Sequence, residues 1–323
     1  MNIAGIDFSI KGRLKKEAVK NGTWLYLLQM FNTVVPLLTL PYITRIIGAN
    51  QYGVFSIAIN IIGYYQVFVE YGFGMSATRK VALLDNKSEK INRIFTTVLI
   101  SRCFLLAICF ILTAGYVAFN RNEILQCLCL LILMIMLFGN CIQLNWLFQG
   151  MQQMQYISII SIVSRIISVS LIFTLVKTSE DLLIYCLLYS VSPFISGILG
   201  IIIAKRTFHI RLIKIKWCDV WEELRSGWYV FTTQISSKVF GVIGITFMGI
   251  FASNTEVGIY SAIQKIPNIM MMAWVPISQV VYPISSKKME VSFKDGCDFV
   301  RRIQHLFLPI WIVNTFLDYF FVG

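Results

Sequence analysis

The 323-residue chain is predicted to be an all-α integral membrane protein with about nine transmembrane helices. Hydrophobic residues make up 57% of it and charged residues 14%, against about 25% charged in an ordinary soluble domain. Its apolar runs are about 20 residues long, enough to cross a hydrocarbon core of ~30 Å as helix and far longer than the ~10-residue strands of a membrane barrel. The basic residues also fall on alternate connections between those runs.

Taken in order, the expected spans are 24–47, 53–76, 94–117, 124–147, 156–176, 182–204, 227–251, 258–284 and 303–322. The first is too long for a signal-peptide core and lacks a small-residue cleavage site, so it is expected to be retained. Between the first and second lies Pro41-Tyr42-Ile-Thr-Arg45-Ile-Ile-Gly48, then Tyr52-Gly53. Pro36 and Pro41 disturb the helix there, Arg45 can anchor at the interface, and Gly48 and Gly53 permit a tight turn. The last run, Leu306 to Val322, ends at Gly323 with no polar flank, as a truncated product would.

Of the 28 Lys and Arg residues, 21 lie in the N-terminal tail and in the connections after the second, sixth and eighth spans. The opposite side carries only Arg45, Arg121 and Lys177. The positive-inside rule then makes the N-terminus cytoplasmic. The net charge of +12 is therefore read as a topology determinant that also suits anionic lipid headgroups; nucleic acid is not expected as a partner. Cys103, Cys109, Cys127, Cys129, Cys141 and Cys186 fall in or beside spans without zinc-like pairing, so buried thiols are expected. The only histidines, His209 and His305, lie in or next to basic connections, so no histidine-based metal or acid–base site and no cofactor is expected.

A shift of 205 residues lays Glu17-Ala-Val-Lys20-Asn-Gly22 over Glu222-Glu-Leu-Arg225-Ser-Gly227, and pairs Gln29 with Gln234, Gly53 with Gly258, and Ser56 with Ser261. Six spans, an even number, separate the copies, so the repeat is parallel, as in transporters whose two bundles rock about a central site. The expected domains are a six-helix bundle, 1–206, and an incomplete second bundle, 207–323, about three helices short of a full copy.

Arg102, Arg165, Lys238 and Lys265 interrupt the apolar runs, and Glu70 is the clear opposing charge there. A charge in hydrocarbon costs at least about 2.5–3.5 kcal/mol, so an unbalanced set of cations points to a polar interior that receives an anion. Arg45, near the outer face, reads equally well as a site residue or an anchor, and so does Lys265. For Arg102, Arg165 and Lys238 the competing role is binding the carbonyls of a broken helix; for Glu70 it is pairing with a cation. Gln29, Asn32, Asn60, Gln66, Asn140, Gln143 and Gln234 could bind ligand hydroxyls or join helices by hydrogen bonds.

The Pro41–Gly53 segment, Glu70-Tyr-Gly72-Phe-Gly-Met-Ser-Ala77-Thr78-Arg79 and Asn145-Trp146-Leu-Phe-Gln-Gly150, in this order and spacing, resemble the polysaccharide transport branch of the multidrug/oligosaccharidyl-lipid/polysaccharide flippase superfamily. In that branch an Asp often stands at the position of Glu70 and an Asn at that of Gly74. The resemblance implies export of undecaprenyl-diphosphate-linked oligosaccharide repeat units across the bacterial cytoplasmic membrane, without enzymatic turnover. It also implies partners among polysaccharide polymerase and export proteins. The alternatives left open are a multidrug or metabolite antiporter of the same fold, an integral membrane polysaccharide polymerase, and an inactive truncated transporter.

Overall fold

The computed structural model describes residues 3–84 and 88–265 together with positions 267, 292, 293, 297, 298 and 301, and side chains from Lys20 onward. The regular structure of these residues is helical, with no strand among them. The helices are α1 (Ile3–Glu70), α2 (Phe73–Ala82), α3 (Ser88–Phe119), α4 (Ile124–Ile142), α5 (Asn145–Gly150), α6 (Met154–Leu175), α7 (Leu182–Phe208) and α8 (Trp217–Phe251). Six helical segments are long and apolar enough to cross a membrane, and the first of these, Lys20–Ala82, is long enough to cross twice. Most of the expected eighth span and all of the ninth lie outside the described residues.

Gly48 divides α1 into two arms. Its φ of 76° and ψ of 166° are accessible to glycine and to few other residues, so the helical run breaks there while Pro36 and Pro41 remain inside the first arm. Gly53, expected to serve the same turn, is helical and has a packing role instead.

Side-chain contacts fix the direction of each helix. Asn21 donates to Gln152 O at 3.0 Å, Ser158 to Trp24 O at 2.7 Å, and Tyr42 to Val176 O at 2.9 Å, so the first arm runs parallel to α6. Ser168 donates to Leu188 O, and Tyr156 packs on Phe208, which sets α7 antiparallel to α6. The second arm meets α8 head to tail, with Asn60 bonded to Thr246 at 2.9 Å and Tyr71 stacked on Phe231. Arg102 with Gln143, and Thr113 with Met134, make α3 and α4 antiparallel. The directions alternate along the chain, and the second arm reverses the first.

This arrangement gathers the basic connections at one end. Arg93 pairs with Asp219 at 2.8 Å, Lys80 with Glu223 at 2.6 Å, and Asn92 accepts the amide of Arg211 at 2.9 Å. The opposite end carries Arg45, Lys177 and Ser253.

Small residues set the helix spacing, as expected where lipid removes the hydrophobic advantage of burial and close van der Waals packing must replace it. Leu130, Leu133, Met134, Leu137 and Cys141 recur at three- and four-residue spacing and form the buried face of α4. Against α7, a Cβ on Gly139 would lie 2.5 Å from Phe194 N. At the end away from the basic connections, Gly53 and Gly258 meet: a Cβ on Gly53 would overlap Asn254 O, and one on Gly258 would overlap Ala49 O. The two overlaps exchange under the 205-residue shift.

Candidate functional site

Among the described residues, two cavities take four of the six candidate charges between them. The first, about 320 Å³, is lined by Glu70, Arg102, Gln66, Asn140, Gln143, Gln149 and Gln234 among others and lies toward the basic end. The second, about 280 Å³, is lined by Arg165 and Lys265 with Pro36, Thr39, Ser168, Tyr185, Tyr189, Ser192 and Pro193. Lys238 lines neither, and its Nζ lies 2.7 Å from where a Cβ on Gly63 would stand. Arg45 is exposed three residues before the Gly48 break and is likewise outside both.

Arg102 is committed to the protein. The apolar run expected to form one span over 124–147 stops as α4 at Ile142, and α5 restarts at Asn145. Arg102 is 5% exposed, and its Nη1 donates to Gln143 O at 2.9 Å and to Cys141 O at 3.5 Å. A guanidinium at the C-terminal end of α4 meets both the orphan carbonyls and the negative end of the helix dipole. Glu70 faces the same cavity, so the charges on this wall balance. The Glu70 carboxylate occupies space left by Gly74, where a Cβ would lie 2.9 Å from its Oε1.

The second cavity has a different electrostatic character. Among the described residues its lining holds two cations and no carboxylate. Lys265 sits over the ring of Tyr52 at 5.1 Å, a cation–π contact that offsets part of its desolvation. Arg165 has no hydrogen bond or ion pair among the described residues. An arginine fork and an ammonium lining one cavity suit the oxygens of a phosphate or diphosphate.

The amide residues of the first cavity partly match the sequence expectation. Gln66, Asn140, Gln143 and Gln234 come together there, whereas Gln29, Asn32 and Asn60 do not. Asn145, Trp146 and Gln149 join them because α5 folds back beside α2, where Thr78 donates to Trp146 O at 3.1 Å. No acidic, histidine or cysteine group capable of holding a metal occurs among the described residues.

The family model for "Polysaccharide biosynthesis protein" matches residues 18–289. The chain is 27% identical over 287 residues, 88% of its length, to a protein of Escherichia coli (strain K12) named "Putative O-antigen transporter", and covers 68% of that protein. It is 26% identical over 268 residues, 83% of its length, to a Shigella dysenteriae protein of the same name, and covers 67% of it. No solved structure matches. With apolar helices that cross repeatedly and a family match spanning both cavities, the chain is a multi-pass membrane protein and a member of the polysaccharide biosynthesis protein family.

Proposed function

We propose that the protein is a flippase that moves an undecaprenyl-diphosphate-linked oligosaccharide repeat unit outward across the bacterial cytoplasmic membrane, with its N-terminus cytoplasmic. The observation that carries this reading is the second cavity, where Arg165 and Lys265 line a space with no carboxylate among the described residues. A lipid-linked sugar diphosphate keeps its tail in the bilayer, while its headgroup needs a polar, cationic passage through the hydrocarbon. Arg165 comes from α6 and Lys265 from the segment after α8, so the cavity draws on both the 1–206 and the 207–323 bundles. In an alternating-access cycle the bundles rock about it. The reciprocal Gly53–Gly258 contact supports the underlying parallel repeat.

A headgroup with about two negative charges moves outward down a negative-inside potential, worth about 2.3 kcal/mol per charge per 100 mV, so export needs no cofactor or chemical step. Polysaccharide polymerase and export proteins are the partners this role implies.

The test is complementation of a strain lacking its own repeat-unit flippase. The intact chain restores surface polysaccharide, while Arg165→Gln and Lys265→Gln accumulate in the membrane without restoring it. Full restoration by both variants, or none by the intact chain once its membrane insertion is verified, would count against the proposal.

A further inference from the structure

We infer that the amide-lined first cavity is a saccharide site, distinct from the cationic cavity, and that it sets which sugar the chain accepts. This rests on the transport reading above and adds a separate role within it. Six carboxamides converge there from four parts of the fold: Gln66 on the second arm of α1, Asn140 and Gln143 at the end of α4, Asn145 and Gln149 on α5, and Gln234 on α8. Each carboxamide offers a donor and an acceptor, the pairing a sugar hydroxyl needs, and a carboxamide carries no charge with which to hold a diphosphate. The one cation on this wall, Arg102, is held by the carbonyls at the end of α4 and faces Glu70.

Most of these amides are not used as helix glue. Gln143 does join helices, donating to Ser196 Oγ at 2.9 Å. Gln66, Asn145, Gln149 and Gln234 make no side-chain hydrogen bond among the described residues. Two further lining residues hold buried donors without an acceptor, Asn140 Nδ2 and Trp146 Nε1, and so does Arg102 at Nε. The half-buried Gln66 and Gln234 side chains keep both a donor and an acceptor available to a ligand in the cavity. At about 320 Å³ the cavity is of small-ligand size.

The two cavities are also spaced for one headgroup. Met136 lines the cationic cavity and Asn140 the amide cavity, four residues apart on α4, or about 6 Å along its axis. The edges of the two cavities thus lie within the reach of a sugar bonded directly to a diphosphate.

The experiment titrates the purified full chain with farnesyl diphosphate and with a panel of farnesyl-diphosphate-linked monosaccharides, comparing the intact chain with Gln66→Leu, Gln234→Leu and Arg165→Gln. The expected result is that at least one sugar conjugate binds about five- to tenfold tighter than the bare diphosphate, the size of one or two net hydrogen bonds. Gln66→Leu and Gln234→Leu remove that preference and leave affinity for the bare diphosphate in place. Arg165→Gln weakens both ligands by the same factor. If no conjugate is preferred, or if the glutamine variants weaken both ligands equally, the saccharide site is rejected while the transport reading stands. If the intact chain binds neither ligand, both are rejected.

Discussion

Replacing Gly53 by alanine tests whether the glycine contact opens during the working cycle. A Cβ at this position would overlap the Asn254 carbonyl oxygen and lie 3.1 Å from Gly258 N, both backbone atoms that no rotamer change can move. A carbon–oxygen approach needs about 3.3 Å or more, so α1 and the segment after α8 must separate. Forcing a methyl into a packed contact costs about 1–3 kcal/mol, a shift of about 5- to 150-fold against the closed arrangement if an open one exists. Ser261, 4% exposed and one turn beyond Gly258, reports on the separation once it is changed to cysteine. Mass-resolved maleimide labelling at residue 261 separates its signal from the native thiols. Gly53→Ala should speed labelling within that range, and Gly258→Ala should do the same, because its Cβ makes the reciprocal overlap with Ala49 O. Gly115→Ala, with nothing within 4 Å of its Cβ, is the silent control. Unchanged labelling in a folded Gly53→Ala protein would refute the reasoning. So would loss of folding in the Gly53 variant alone, which would make the contact a fixed structural joint.

Arg102→Ala should lower thermal stability and membrane accumulation by removing charge-assisted bonds worth about 1.5–3 kcal/mol at the end of α4. Arg102→Lys should recover little of this, since an ammonium does not reproduce the fork; a melting temperature unchanged in Arg102→Ala would overturn the capping role. Glu256 accepts bonds from the Ser253 amide and hydroxyl, each at 2.8 Å, and the Ser253 amide first, then its hydroxyl, hold the carboxyl below its ordinary range. A depressed folded-state value means that its contribution is present above the usual glutamate pKa of about 4.3 and is lost as pH falls through the lower folded value. The midpoint of thermal unfolding should fall through that window, and Glu256→Gln should flatten this dependence; an identical pH profile for the variant would exclude the contribution.

Much of the architecture was legible because the forces that shape it act on composition. Run length anticipated the six long apolar helical segments among the described residues, and the clustering of cations anticipated the end where Arg93, Lys80 and Arg211 meet Asp219, Glu223 and Asn92. The break after Ile142 was not legible, since neither Gln143 nor Leu144 is a proline or glycine that would mark it and the carbonyls are satisfied by an arginine 39 residues away in the chain. That same remote bond separates Arg102 from Arg165, two cations alike in depth and neighbourhood when read along the chain. The amide cavity was half visible: Gln66, Asn140, Gln143 and Gln234 stood out as polar residues in spans, but Asn145 and Gln149 read as part of a motif without a location. Gly53 and Gly258 kept one register in the repeat, yet nothing in their spacing said that they touch.

The way α8 is fastened has a consequence for the medium in which the protein works. At one end of the bundle α8 is held by Lys80–Glu223 and Arg93–Asp219; just beyond its other end, the glycine crossing involves backbone carbonyls and carries no net charge. Arg93 is 63% exposed in its side chain, so that clasp lies within reach of dissolved ions, whose screening length shrinks from about 10 Å at 0.1 M to about 3 Å at 1 M. Added salt should thus loosen one fastening and leave the other untouched. Ionic strength on the basic face then biases which end of α8 lets go first.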